Sequence, residues 1–136
     1  MKPNFFVFDT NALISAFLVK HSTSDQAFRK ATSTGVLAIS DISLSEFLEV
    51  LWRPKFDKYF TSEERVEVVL EIEKYASPFS IAEKINTSKD PDDNMFLELA
   101  VASQALCIIS GDPHLLTLHP FRGIPILSAA DFIKVF

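Results

Sequence analysis

The chain alternates short apolar segments with longer segments in which apolar residues recur at helical spacing. Residues 4–8, 36–39 and 107–110 are apolar stretches too short for a helix and rich in β-forming residues, which indicates buried strands. Residues 79–82 form a weaker strand candidate, and residues 124–127 contain a proline, which favours an edge strand. This alternation predicts an α/β domain with a mainly parallel central sheet and right-handed crossovers.

Each segment predicted as a helix begins at polar or acidic residues that can cap its N-terminus. The predicted helices run over residues 12–18, from Thr23 to Gly35, from a capping box at Ser43–Glu46 to Pro54, from Thr61 to Ser77, from residues 90–93 to about Ala105, and onward from Ser128. No repeat, low-complexity tract or linker divides the chain, so we expect a single domain over residues 1–136.

The composition supports a packed core and gives no sign of a membrane segment. Hydrophobic residues make up 48% of the chain, and the longest apolar runs, such as Phe5–Phe8, fall far short of the roughly 20 residues that a bilayer span needs. The N-terminal region also lacks the apolar stretch of a secretory signal. We therefore expect a cytoplasmic protein in which Cys107 is a small buried hydrophobe.

The net charge is −5, so the chain lacks the bulk positive charge that drives non-specific binding to nucleic acid. An RNA partner would have to be attracted locally. Arg53, Lys55 and Lys58 are candidates for phosphate contacts, although they also fit a solvated surface patch. A carboxylate cluster loaded with Mg²⁺ would likewise present positive charge to a phosphate.

Several acids fall where a parallel sheet places its functional edge, beyond the carboxyl ends of the strands. Asp9 follows the first predicted strand, and Asp112 follows the strand at 107–110. Asp93 begins a helix on the face that also carries Phe96 and Leu97. Because a carboxylate on an apolar face is costly to bury without a counter-charge, a bound cation is the partner that this pattern favours.

Each of these acids also has an ordinary structural interpretation. Asp9 can simply cap a helix, Glu46 can complete the capping box begun by Ser43, and acids at a helix N-terminus such as Asp93 are stabilised by the helix dipole. Asp112 after a glycine can be a turn residue. Their joint occurrence favours a site for one or two hard divalent cations, and such a site can hydrolyse a phosphodiester.

Other small α/β classes fit the sequence less well. A phosphoryl-accepting receiver domain needs adjacent acids after the first strand and a lysine after a late strand, and neither is present at Asp9-Thr10-Asn11 or after Ile109. A phosphatase with an Asp-x-Asp nucleophile is excluded because position 11 is Asn. A phosphate-binding P-loop is excluded because only three glycines occur and they are scattered.

Four segments together resemble the signature regions of PIN-domain nucleases, in the expected order and over most of the chain, from Phe5 to Leu118. The segments are Val7-Phe8-Asp9-Thr10-Asn11, Leu44-Ser45-Glu46-Phe47, Asp90-Pro91-Asp92-Asp93-Asn94 and Ile109-Ser110-Gly111-Asp112. The segment Leu51-Trp52-Arg53-Pro54-Lys55-Phe56 is similar to one found in a subgroup described as toxin components of toxin–antitoxin systems.

This resemblance implies a three-layer α/β/α fold, dependence on Mg²⁺ or Mn²⁺, and cleavage of single-stranded RNA. The acids implied to hold the metal and carry catalysis are Asp9, Glu46, Asp93 and Asp112. The residues implied to lie beside them are Asn11 and Ser110, with Asp92 as the alternative to Asp93. A homodimer and a small antitoxin protein are the further partners that the resemblance implies.

Two positions depart from the subgroup's pattern, because Asn94 and His114 stand where a further Asp is common. Neither is one of the four principal acids, so we expect an intact site. The alternative from another functional class is a catalytically silent PIN-like module that binds RNA or a partner protein.

Overall fold

The computed structural model describes residues 3–136, and residues 1 and 2 of the expected domain lie outside this range. Five strands form one parallel sheet in the order β3-β2-β1-β4-β5. The strands are β1 (Phe5–Phe8), β2 (Val36–Ile39), β3 (Ala76–Pro78), β4 (Cys107–Ile109) and β5 (Ile126–Leu127). The order reverses between β1 and β4, so the carboxyl ends of these two strands lie at the point where ligands bind in open parallel sheets.

Seven α-helices pack on the sheet within the described residues. They are α1 (Thr10–Leu18), α2 (Thr23–Thr34), α3 (Asp41–Leu51), α4 (Ser62–Tyr75), α5 (Asn94–Ser103), α6 (Pro113–Leu116) and α7 (Ala129–Val135). Short 3-10 turns at Pro54–Phe56 and Pro91–Asp93 lead out of α3 and into α5. No helix among residues 3–136 is long and apolar enough to cross a membrane.

Side chains alternate across the sheet and feed two separate cores. Phe6 and Phe8 of β1 pack with α1, α2, α3, α4 and α7, whereas Val7 packs with α5 and α6 on the opposite face. The same alternation places Ile109 of β4 in the first core and Ile108 in the second. Because successive residues of a strand point to opposite faces, the two cores define three layers. The predicted α/β/α fold with a parallel sheet is confirmed.

The predicted capping box at Ser43–Glu46 is wrong. Helix α3 begins three residues earlier, because Ser40 follows β2 directly and its side chain accepts a hydrogen bond from the Ser43 backbone N–H at 3.1 Å. The Ser43 hydroxyl in turn accepts from the Ser40 N–H at 2.9 Å, which completes the box. Glu46 therefore lies inside the helix, where its carboxylate is not used as a cap.

The strand expected at 79–82 is also misplaced. Helix α4 ends at Tyr75, and the chain enters β3 at once, pairing Ala76 with Leu37 and Pro78 with Ile39. Pro78 is accommodated because β3 is an edge strand. The last strand is confirmed only in its second half, at Ile126–Leu127.

Gly35 ends α2 as predicted, and its small size has a specific cause. Its backbone is extended, with φ of −167°, so it does not supply a left-handed helix terminus. A Cβ atom at this position would lie 2.3 Å from the carbonyl oxygen of Asn4 and 2.8 Å from a ring carbon of Phe6. Glycine is therefore needed for the close approach of β1 to the start of β2.

Candidate metal centre

Asp9 is held at the end of β1 by hydrogen bonds to both of its carboxylate oxygens. One oxygen accepts the Ala12 backbone N–H at 2.8 Å and thereby caps α1, while the other accepts the hydroxyl of Ser110 at the end of β4. Asp9 is only 4% exposed. Burial raises the pKa of Asp9, and the hydrogen bond from Ser110 acts in the opposite direction by favouring the charged form. Capping and membership of the site are thus compatible.

Three other acids converge across the switch point from Asp9. Carboxylate oxygens of Asp90, Asp93 and Asp112 all lie within 4.8 Å of one another. Asp93 is buried, whereas Asp90 and Asp112 are half-buried. Burial, together with a hydrogen bond and charge repulsion from Asp112 and repulsion from Asp90, raises the pKa of Asp93 to about 7. The three carboxylates therefore repel one another when they are charged, and a bound cation would relieve this repulsion.

The local turn explains how Asp90 and Asp93 reach the same point. The Asp93 backbone N–H donates to the Asp90 carbonyl at 3.0 Å in the 3-10 turn before α5. The Ser88 hydroxyl donates to the Asp93 carboxylate at 3.3 Å, and the side-chain oxygen of Asn94 accepts the Ser88 N–H at 2.8 Å. Asn94, one of the departures from the family pattern, thus fastens the loop that presents the acids.

Asp112 is positioned by hydrogen bonds of its own backbone and side chain. Its N–H donates to the Ser110 hydroxyl at 2.9 Å, so Ser110 links Asp9 and Asp112. Its carboxylate accepts the His114 N–H at 2.8 Å at the start of α6. Ser110 therefore orients Asp9 and Asp112 through a single hydroxyl group.

Glu46 reaches the same region from α3. The hydroxyl of Thr10 donates to one of its carboxylate oxygens, which ties α3 to the beginning of α1. Glu46 is half-buried. This contact leaves the second carboxylate oxygen available to the cavity.

The acids line a cavity of about 200 Å³ at the carboxyl edge of the sheet. Its acidic lining residues are Asp9, Glu46, Asp90, Asp92, Asp93 and Asp112, and its other lining residues are Thr10, Asn11, Val50, Arg53 and Phe96. All four principal acids predicted from the sequence therefore meet in one place. A cavity with this many carboxylates and a single cation suits an oxygen-coordinated divalent metal.

The residues predicted beside the acids divide into two groups. Asn11 and Asp92 line the cavity and are exposed, and Arg53 lies on its rim in an ion pair with Glu49 at 2.8 Å. Lys55 does not line this cavity, and its ammonium group lies 5.1 Å from the centroid of the Phe56 ring. The expected contact of Lys55 with a phosphate near the site stays a prediction.

Sequence reasoning did not select Asp90 or Thr10. Asp90 precedes Asp93 by one turn of a tight helix, and this spacing was the available signal, since residues three apart share a face. Thr10 carried no comparable signal, because its contact with Glu46 joins residues far apart in the sequence.

Residues 6–114 match a family model described as PIN domain, so the chain belongs to the PIN domain family, a family of nucleases. The fold is similar to a chain in the crystal structure of VapBC2 from Rickettsia felis bound to a DNA fragment from their promoter. That match has a TM-score of 0.59 and 13% sequence identity, and it covers 90% of this chain and 96% of the other. At this identity the likeness shows the fold alone. A search of curated proteins gave no match.

Proposed function

We propose that this protein is a divalent-metal-dependent ribonuclease that hydrolyses phosphodiester bonds of single-stranded RNA. The observation that carries the proposal is the convergence of Asp90, Asp93 and Asp112 within 4.8 Å, in the cavity that Asp9 and Glu46 also line. Membership of a nuclease family supports phosphodiester hydrolysis as the use of this cluster. The choice of single-stranded RNA follows the family resemblance of the sequence.

The donor set fits Mg²⁺ or Mn²⁺. The cluster offers only carboxylate oxygens, which hard divalent cations prefer, and within the described residues it contains no histidine or cysteine that would favour a softer metal. Because the pKa of Asp93 is about 7, its carboxylate is only partly ionised at neutral pH when no cation is bound. A bound divalent ion would supply positive charge to the scissile phosphate and lower the pKa of an attacking water.

The chain's own residues would hold the acids in fixed orientations. The Ser110 hydroxyl and the Ala12 N–H fix Asp9 in one orientation, and the Thr10 hydroxyl does the same for Glu46. Such fixed orientation reduces the reorganisation needed in the transition state.

Arg53, on the rim, is the cationic residue of the cavity lining. Its guanidinium can exchange the exposed carboxylate of Glu49 for a phosphate of the substrate at little cost, since exposed ion pairs contribute little. Asn11 and Asp92 are exposed at the same opening, where they can contact the nucleotides next to the cleaved bond. We assign these residues to substrate positioning.

We further propose that the protein is the toxin of a toxin–antitoxin pair, inhibited by a small antitoxin protein, and that it forms a homodimer. The resemblance of residues 51–56 to a segment of toxin components supports this, as does the fold shared with a chain of VapBC2. Co-purification of the chain with the product of a neighbouring gene, and loss of RNA cleavage in that complex, would test the pairing.

The test of the enzyme is cleavage of a fluorescent single-stranded RNA with Mg²⁺ or Mn²⁺ and with EDTA. We expect cleavage only with metal, and we expect Asp9→Asn to abolish it while the melting temperature in EDTA stays close to that of the parent, because Asn also caps helices. Asp131→Asn, an exposed acid at the start of α7, is the matched control and should cleave normally. Equal cleavage by Asp9→Asn and the parent would reduce Asp9 to a helix cap.

A further inference from the structure

The connection between α3 and α4 exposes aromatic and cationic side chains side by side. Trp52 is 45% exposed and Tyr59 is 49% exposed, which is unusual for rings of this size. Arg53, Lys55 and Lys58 lie between them in the sequence and are also exposed. In a chain with a net charge of −5, residues 52–59 therefore form a local surface that is both basic and aromatic.

A buried arginine of α4 holds this connection in shape. Arg65 is 3% exposed, and its guanidinium donates to the carbonyl oxygens of Leu51 at 2.8 Å, Phe60 at 3.0 Å and Arg53 at 3.3 Å. It also pairs with Asp57 at 3.0 Å. Because one planar group reaches carbonyls at both ends of the connection, those ends must lie close together.

This arrangement brings Trp52 and Tyr59 into the same region of the surface, since each is the neighbour in sequence of a residue bound by Arg65. The guanidinium carbon of Arg65 lies 5.2 Å from the centroid of the Trp52 ring, which supports that ring on one side. The buried rings of Phe56 and Phe60 anchor the connection to the core.

The positive charge of this surface remains available to a ligand. Asp57 is engaged by Arg65, and Glu49 is engaged by Arg53. Lys55 and Lys58 take part in none of the ion pairs between residues 3 and 136, and their ammonium groups lie 5.1 and 5.2 Å from the ring centroids of their sequence neighbours.

The surface is continuous with the acidic cavity. Arg53 lines that cavity, as do Glu46 and Val50 on the last turns of α3, just before the connection begins. A strand whose cleaved phosphate lies among the acids can therefore leave the cavity past Arg53 and run directly onto residues 52–59.

We propose that residues 52–59 form a binding surface for single-stranded RNA, on which bases stack against Trp52 and Tyr59 while Arg53, Lys55 and Lys58 contact phosphates. This inference rests on the proposed ribonuclease function and extends it by assigning the path of the strand outside the cleavage site. Stacking platforms combined with cations are the usual means of binding single strands without sequence preference. Trp, Tyr and Arg are also common in protein–protein interfaces whereas Lys is depleted there, so Lys55 and Lys58 are the residues that favour RNA over a protein partner.

The aromatic residues are tested by fluorescence anisotropy with a labelled oligouridine, in the Asp9→Asn background with Mg²⁺. We expect Trp52→Leu and Tyr59→Leu each to weaken binding by about fivefold or more, since a base then has no ring to stack on. Trp52→Phe and Tyr59→Phe keep a π-face and should bind within about twofold of the parent. Should Trp52→Leu lower the melting temperature through its contact with Arg65, the Tyr59 and lysine variants carry the test.

The lysines are tested by the salt dependence of the same binding. The double variant Lys55→Ala with Lys58→Ala should reduce the slope of log K against log salt by about 1.4, or about 0.7 for each phosphate that is no longer neutralised. Lys74→Ala with Lys134→Ala removes the same charge from exposed positions of α4 and α7 and is the matched control. This control should leave the slope close to that of the parent.

Two results would overturn the proposal. One is parental RNA affinity and salt slope in the leucine and lysine variants. The other is unchanged RNA affinity with loss of self-association in sedimentation, which would make the surface a protein interface. The binding surface and the ribonuclease function can be rejected separately. If the parent cleaves no RNA but the variants still bind RNA more weakly than the parent, the ribonuclease function is rejected and the binding surface is retained.

Discussion

Replacing Asp93 by Asn removes one charge from the acidic cluster with little change in shape. The Asp93 side chain is 6% exposed and accepts a hydrogen bond from Ser88, which an Asn side-chain oxygen can also accept. The substitution therefore measures the cost of burying a charged carboxylate at this position and of holding it beside Asp112 and Asp90. In the metal-free protein we expect it to increase the free energy of unfolding at neutral and alkaline pH.

The magnitude and sign follow from the pKa of about 7 in the folded protein against an ordinary value of 3.8. Between these values the folded protein binds more protons than the unfolded chain, so stability falls as the pH rises from about 4 to about 7. The full difference corresponds to at most about 4 kcal/mol. Asp93→Asn should recover up to this amount above pH 7 and almost nothing near pH 4, where Asp93 already carries a proton.

Urea unfolding in EDTA, followed at mildly acidic and mildly alkaline pH, measures this difference. Asp92→Asn is the matched control, because Asp92 is an exposed neighbour in the same turn. Because this variant keeps Asp93, the difference in unfolding free energy between it and the parent should depend little on pH. Adding Mn²⁺ should stabilise the parent, because a ligand that binds only the folded state stabilises it. It should stabilise Asp93→Asn less, because this variant lacks one of the carboxylates of the cluster.

An equal effect of Asp93→Asn at both pH values would contradict this explanation. It would mean that neither burial nor repulsion from its neighbours raises the pKa of Asp93, and that the substitution acts through packing alone. The same conclusion would follow if Asp92→Asn reproduced the pH dependence.

Two further substitutions test the groups that support the site. Ser110→Ala removes the hydroxyl that orients Asp9 and should weaken Mn²⁺ binding about 10–100-fold in a metal titration, while an unchanged affinity would show that this hydroxyl does not support the metal. Arg65→Met leaves the carbonyls of Leu51, Phe60 and Arg53 without their donor and should lower the free energy of unfolding by about 3 kcal/mol or more. A decrease below about 1 kcal/mol in urea unfolding would contradict the role given to Arg65.

The ends of the central strands could be predicted from the sequence, and with them two of the acids. Asp9 and Asp112 each come within three residues after a short apolar stretch, and such stretches become central parallel strands because both of their faces must be buried. The proximity of these strands follows from the sheet order, which the sequence pattern suggests only through the α/β class. Local pattern and topology thus placed these two acids together.

The role of Glu46 depended on a choice that local sequence does not settle. Ser40 and Ser43 can both cap a helix, and the observed start at Asp41 is decided by where β2 ends. Local sequence likewise does not settle the position of the edge strand β3, because Ala76–Pro78 becomes a strand only by pairing with β2.

The contribution of Asp90 is decided by tertiary structure. Three acids occur in the stretch 90–93, and only the turn that precedes α5 determines which of them face Asp112. Asp92 is exposed at the opening of the cavity, whereas Asp93 is buried. The spacing of Asp90 and Asp93 was compatible with this outcome but did not require it.

The metal centre is tested most directly by anomalous diffraction from a crystal soaked in Mn²⁺. We expect an anomalous peak in the cavity, with carboxylate oxygens of Asp93 and Asp112 at bonding distance and Asp9, Glu46 or Asp90 close by. Absence of a peak among these carboxylates at saturating Mn²⁺, or a peak only elsewhere on the protein, would contradict a metal site at this edge of the sheet.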